Sequence, residues 1–174
     1  GVLEDNYAQR AKDVSEKKIK TARELLDSFD IVPTDAQFEK DFTSARVAKI
    51  PLARWYLSEL ELEKMDNTEK VPNPDTSSVN LEHVLPQNPS PSWDIDPRIA
   101  GKYNNMIGNL ALMDAKSNSI IGNSSFEDKK SSFLSSSFEL TKEIGNKEKW
   151  GVEEIEERQK ELAKLAIKRW KIKP

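Results

Sequence analysis

Val79-Asn80-Leu81-Glu82-His83-Val84-Leu85-Pro86-Gln87 holds the only histidine of a 174-residue chain. Val79, Leu81 and His83 fall on one side of a period-two run, and Asn80, Glu82 and Val84 on the other, which predicts a strand. Pro86 cannot donate to a ladder, so regular pairing should end before it. The stretch is answered by Ile107-Gly108-Asn109-Leu110-Ala111-Leu112. Asn109 to Met113 predicts a second short strand, entered through Gly108. Asp114 to Asn118 carries turn or helix-start chemistry, and a helical pattern follows. Strand, long loop, strand, helix is a frame that can gather His83, Asn109 and Asn118.

Composition bounds the rest. The length suits one domain with a core of its own. Hydrophobic content of 36% against 33% charged points to a mostly helical, water-facing protein. No run reaches the apolar length of a bilayer span, and no signal peptide opens the chain, so a bacterial-type cytoplasm is the expected setting. There is no cysteine, which excludes disulfides and thiolate metal sites. The chain begins at Gly1 and its first methionine is Met65, so it reads as a fragment or a processed product. A net charge of −3 gives no global footprint for nucleic acid. Lysines do cluster at both ends, at 12–20 and 164–173, and such runs are ordinarily solvated helix faces.

The remaining elements follow from spacing. Asn6 to about Phe29 predicts one amphipathic helix with Tyr7, Ala11, Val14, Ala22, Leu25 and Phe29 as its stripe. Thr34 with Gln37 has the capping-box pattern and opens a second helix through Phe38 and Phe42. Pro51 fits the first turn of a third, with Leu52, Trp55, Tyr56, Leu57 and Leu60 inward. Residues 67–78 predict a linker, set off by Pro72 and Pro74. Asn88 to Pro97 is a second irregular stretch, followed by a helical turn at Ile99 to Tyr103. Phe126, Lys129, Lys130 and Phe133 share a helix, Ser136 with Glu139 is a possible cap for the next, and Gly145-Asn146 closes that one. Val152 to Ile172 predicts the last helix, its acids early and bases late as the macrodipole favours. The expected organisation is a helical part at 1–66, the linker, a core at 79–135 and helices at 136–174.

Taken singly, the polar residues of the core are ambiguous. A lone histidine is more often structural than catalytic. A buried asparagine offers oxygen to a hard cation or holds a loop through its amide, and either Asn109 or Asn118 alone reads as turn chemistry.

Together they carry a resemblance. Glu82-His83-Val84-Leu85-Pro86-Gln87, then Ile107-Gly108-Asn109-Leu110, then Asn118, Asn123, Phe126 and Lys129 resemble the HNH, or His-Me finger, nuclease signature. More narrowly, the pattern is similar to the C-terminal nuclease domain of GmrSD-like, modification-dependent restriction enzymes. The motif core spans Val79 to about Lys130. The resemblance extends weakly to the helix carrying Ala53-Arg54-Trp55-Tyr56-Leu57.

That resemblance implies an α+β, predominantly helical domain with a small ββα-metal core, acting on DNA. His83 would be the general base, its reference pKa near 6.5 suiting neutral pH. Asn118 would give an oxygen to one divalent cation, with Glu82 as acidic partner. Mg²⁺, or Mn²⁺, is favoured because the ligands are oxygens. Asn109 would hold the loop and offer its backbone carbonyl to the imidazole. Pro86, Gln87 and Asn123 would brace the motif, and Lys129 would be either a phosphate contact or a solvent-facing lysine. The target would be foreign or modified DNA, chosen by an upstream nucleotide-binding or modification-sensing domain. The competing class is a catalytically silent DNA-docking or protein-interaction module of the same fold.

Overall fold

The computed structural model describes residues 1–29, 32–65, 78–114 and 122–171. In order these form α1 (Val2–Ser15), α2 (Ala22–Asp27), α3 (Asp35–Ser44), α4 (Ile50–Met65), β1 (Val79–His83), α5 (Pro97–Tyr103), β2 (Leu110–Asp114), α6 (Phe126–Leu134), α7 (Glu139–Gly145) and α8 (Val152–Arg169). Short 3-10 turns at Pro91–Trp93 and Ile107–Asn109 precede α5 and β2. The chain is therefore mostly helical with one small antiparallel sheet, an α+β arrangement. Of the expected linker, only Ser78 lies among the described residues.

The hairpin pairs Leu81 with Leu112, Glu82 with Ala111 and His83 with Leu110. Cross-strand partners share a face, so the predicted alternation separates two layers. Val79, Leu81, Leu110 and Leu112 face a core with Phe42 of α3, Leu57 and Leu60 of α4 and Leu162 of α8. Ala111 and Met113 face a second core with Val84, Phe126 and Phe133 of α6 and Ile155 of α8. The sheet is covered on both sides. Four of the five residues of β2 are buried, as they must be between two layers. His83 sits on the first face at the open end of β1, half-buried, while Glu82 points into the second.

Thr34 caps α3 as its sequence predicts, accepting from the Gln37 amide at 3.2 Å. Elsewhere the structure corrects the expectation. The first helix stops at Ser15, Lys17 turns left-handed at φ 59°, and Thr21 starts a new helix by accepting from the Glu24 amide. Tyr7 and Val14 stay exposed, so the stripe covers no core, although Tyr7 meets the Phe29 ring edge-on. In α4 the buried side is Ala53, Leu57, Leu60 and Glu61. Leu52 is exposed, and Trp55 lies at the surface, stacked on Trp170 with ring centroids 5.6 Å apart. Ser136 does not cap α7. Its hydroxyl accepts from Phe138, and the first amides of α7, those of Glu139 and Leu140, go to the buried Glu61 carboxylate. A carboxylate at a helix N-terminus is held by both the free amides and the helix dipole.

Candidate active site

His83 is placed by three independent holds on the chain around it. The first is the β1–β2 ladder, which ends at the His83–Leu110 pair. The second is Asn109, wholly buried in the turn before β2. Its backbone carbonyl accepts from the Val84 amide at 3.0 Å. Its side chain continues the pairing by one residue: Oδ1 accepts from the Leu85 amide at 2.9 Å and Nδ2 donates to the Leu85 carbonyl at 3.0 Å. Trp150 donates to the same Oδ1 at 3.3 Å. Asn109 thus ties the loop at Val84 and Leu85, and its carbonyl serves Val84 and not the imidazole.

The third hold is Lys129 of α6. It is fully buried, so it is neither of the residues expected of it, a phosphate contact or a solvent-facing lysine. Its ammonium meets Glu82 Oε1 at 2.6 Å and also donates to the carbonyls of His83, at 3.2 Å, and Val84, at 3.3 Å. Trp93 lies beneath it, 5.9 Å from Nζ to the ring centroid, and is itself tied to the Ser124 carbonyl. Burial pushes the Glu82 carboxyl up and the Lys129 ammonium down, each against the pull of the other.

Glu82 is accordingly a poor cation ligand. It lies on the sheet face opposite His83, it is 8% exposed, and one of its oxygens is committed to a positive charge. A further cation beside Lys129 would be repelled. Among the described residues no three His, Cys, Asp or Glu side chains converge to hold a metal. Asn118, the other expected ligand, lies outside the described residues.

The imidazole is held below its ordinary 6.5, first by burial and then by the positive charge of Lys129. It is therefore neutral at pH 7, with a lone pair available on one nitrogen. Its Nε2 lies 3.3 Å from the side-chain nitrogen of Gln87, which is exposed. Pro86 is buried beneath that exit, so the Leu85-Pro86-Gln87 turn is anchored on its inner side. Asn123 is exposed and makes no hydrogen bond with the described residues. The start of α6 is braced instead by Ser125 and Asp128, a reciprocal capping box.

Two supports come from α8 and were not singled out in the sequence. Arg158 donates to the carbonyls of Ile107, Gly108 and Leu110, and Gln159 ties the Gly108 amide to the Phe42 carbonyl. Their signal was available: both fall on the inward stripe between Ile155 and Leu162, where a polar residue needs a buried partner. The glycine of Ile107-Gly108-Asn109 is required by the same packing, since a Cβ there would collide with the Ile155 carbonyl and the Gln159 backbone. Trp150 gave no comparable signal.

A search of curated proteins finds no match to the chain. A family model described as the C-terminal domain of GmrSD restriction endonucleases matches residues 32–165, from the loop before α3 well into α8. That span contains the hairpin, Asn109, Lys129 and both supports from α8. Because the match covers most of its length, the chain belongs to the GmrSD restriction endonuclease C-terminal domain family.

Proposed function

We propose that the chain is an HNH-type nuclease module of a restriction system, hydrolysing phosphodiester bonds in DNA with His83 as general base. The observation that carries this is the placement of His83: a half-buried imidazole at the open end of a strand secured on both flanks, with burial and Lys129 favouring its neutral form. A neutral imidazole takes a proton from water as the water oxygen forms its bond to phosphorus and the bond to the leaving 3′ oxygen breaks. Gln87 is exposed and unanchored by any helix, so a water can replace it at Nε2. In this reading β1, β2 and α6 form the ββα unit. Any Mg²⁺ or Mn²⁺ ion takes Asn118 as its protein ligand, with Glu82 reserved for Lys129. A single hydrolytic centre makes the chain a nickase. Its DNA is foreign or modified, and an upstream sensing domain selects it.

His83→Ala tests the reading. General bases contribute roughly 10²–10⁴ in rate. The variant should melt close to the wild type and bind duplex DNA as well, yet lose plasmid cleavage by about that factor. Cleavage at the wild-type rate would remove His83 from the chemistry, and a wild-type chain that binds duplex DNA without cutting it would favour the docking module.

A further inference from the structure

Lys129 is entirely withdrawn from solvent and, with Phe133, is among the largest fully buried side chains of the described residues. Burying an ammonium is costly, and a leucine or methionine could close this side of the sheet without that cost. What the lysine adds is three directed donors. Their acceptors belong to three consecutive residues: the side chain of Glu82 and the carbonyls of His83 and Val84. These straddle the last residue of β1, where the chain leaves the ladder for the Leu85-Pro86-Gln87 turn. The imidazole lies on the opposite face, so the hydrogen bonds of Lys129 reach it only through the backbone, while its charge acts on the ring through space. Asn109 secures Val84 and Leu85 from the β2 side, and Lys129 secures Glu82 to Val84 from α6.

We infer that Lys129 is a positioning residue for His83, fixing the end of β1 by three hydrogen bonds so that the imidazole is presented in one direction. This rests on the reading of His83 as general base. A shift of about 1 Å in a reacting group can cost about 10² in rate, so a clamp on its backbone is worth keeping even where the charge is expensive.

The absence of any cysteine makes a chemical test clean. Lys129→Cys would carry the single thiol, to be alkylated in denaturant and refolded. Bromoethylamine rebuilds an ammonium at nearly the length of lysine, whereas bromopropane gives a neutral side chain of the same shape. Nicking of supercoiled plasmid, binding of a labelled duplex, thermal melting and the NMR signal of the one imidazole are then compared. The S-propyl form should bind DNA as the wild type does, nick about a hundredfold more slowly and show a displaced imidazole signal. The aminoethyl form should recover both the rate and the signal. Equal nicking by the two adducts, or a folded aminoethyl form as slow as the S-propyl one, would overturn the inference. Should the S-propyl form not refold, Glu82→Gln with Lys129→Met removes both charges together. A folded double variant with reduced kcat and unchanged DNA affinity supports the clamp, and one with wild-type kcat refutes it. The imidazole signal reads the clamp without any cleavage. A displaced signal alongside an active His83→Ala would therefore retain the clamp and discard the base.

Discussion

Asn109 holds Leu85 by both ends of its peptide, accepting from the amide at 2.9 Å and donating to the carbonyl at 3.0 Å across 24 residues of chain. A side-chain amide here does what a further residue of β2 would do, but from a turn that has already left the ladder. The result is a hairpin end that cannot fray at the residue beside His83.

Asn109→Ala should therefore destabilise strongly, because it strands the Leu85 amide, the Leu85 carbonyl and the Trp150 indole N–H in a buried site. Each stranded group costs about 1–3 kcal/mol. Asn109→Asp keeps the acceptor and loses only the donor, so urea melts should place it between wild type and alanine. An aspartate variant less stable than the alanine one would show that the added charge outweighs the retained bonds.

His83 gives the protein a pH dependence of defined sign. The unfolded chain protonates its histidine near 6.5, whereas the folded imidazole is held lower by burial and by Lys129. Between those values the unfolded state binds more protons. The contribution to stability is thus complete above about 6.5 and is lost as pH falls through the folded value. Cleavage should follow, flat above about pH 6.5 and declining below it. The one imidazole signal can be titrated by NMR, and a midpoint at or above 6.5 would contradict this.

The cation prediction separates two oxygen donors. Cleavage should need Mg²⁺ or Mn²⁺, stop in excess chelator, and fall steeply in Asn118→Ala. Glu82→Gln should leave the dependence on metal concentration unchanged, because its carboxylate is spoken for by Lys129. A large rise in the Mg²⁺ concentration needed by Glu82→Gln would make Glu82 a ligand after all. Undiminished cleavage in chelator would remove the ion altogether.

What could be read from the sequence was local. The first strand announces itself by alternation and Pro86 bars its continuation, Gly108 marks the entry to the second, and Thr34 marks a cap, because each depends on a few neighbouring residues. Long-range partners were not legible. Lys129 looks like a surface lysine on a helix, and only a carboxylate 47 positions away makes it a buried one. Glu61 likewise reads as surface charge on α4, yet it caps α7 across 78 residues. The break after Ser15 also escaped, since the apolar spacing runs on past it while no core is there to receive the stripe. The motif singled out His83 and Asn109, which the fold brings to the same end of the hairpin. It said nothing of how Asn109 spends its donors.

The form of the product follows from the count of centres. With His83 as the proposed general base, one histidine per chain would give one hydrolytic site, and one site placed on one phosphate would cut one strand per engagement. A double-strand break then needs a second copy, or release and rebinding in the opposite orientation. The chain has a net charge of −3, and Lys129 is buried on Glu82, so attraction to DNA has to come from local phosphate contacts. Such contacts position a protein without reading sequence. Supercoiled plasmid should accordingly pass through an open-circular form before any linear product. Nick sites should be scattered, and the rate should fall steeply between about 50 and 200 mM salt. Linear product at one defined sequence, with no earlier open-circular phase, would show a self-guided double-strand cutter and refute the single-centre argument.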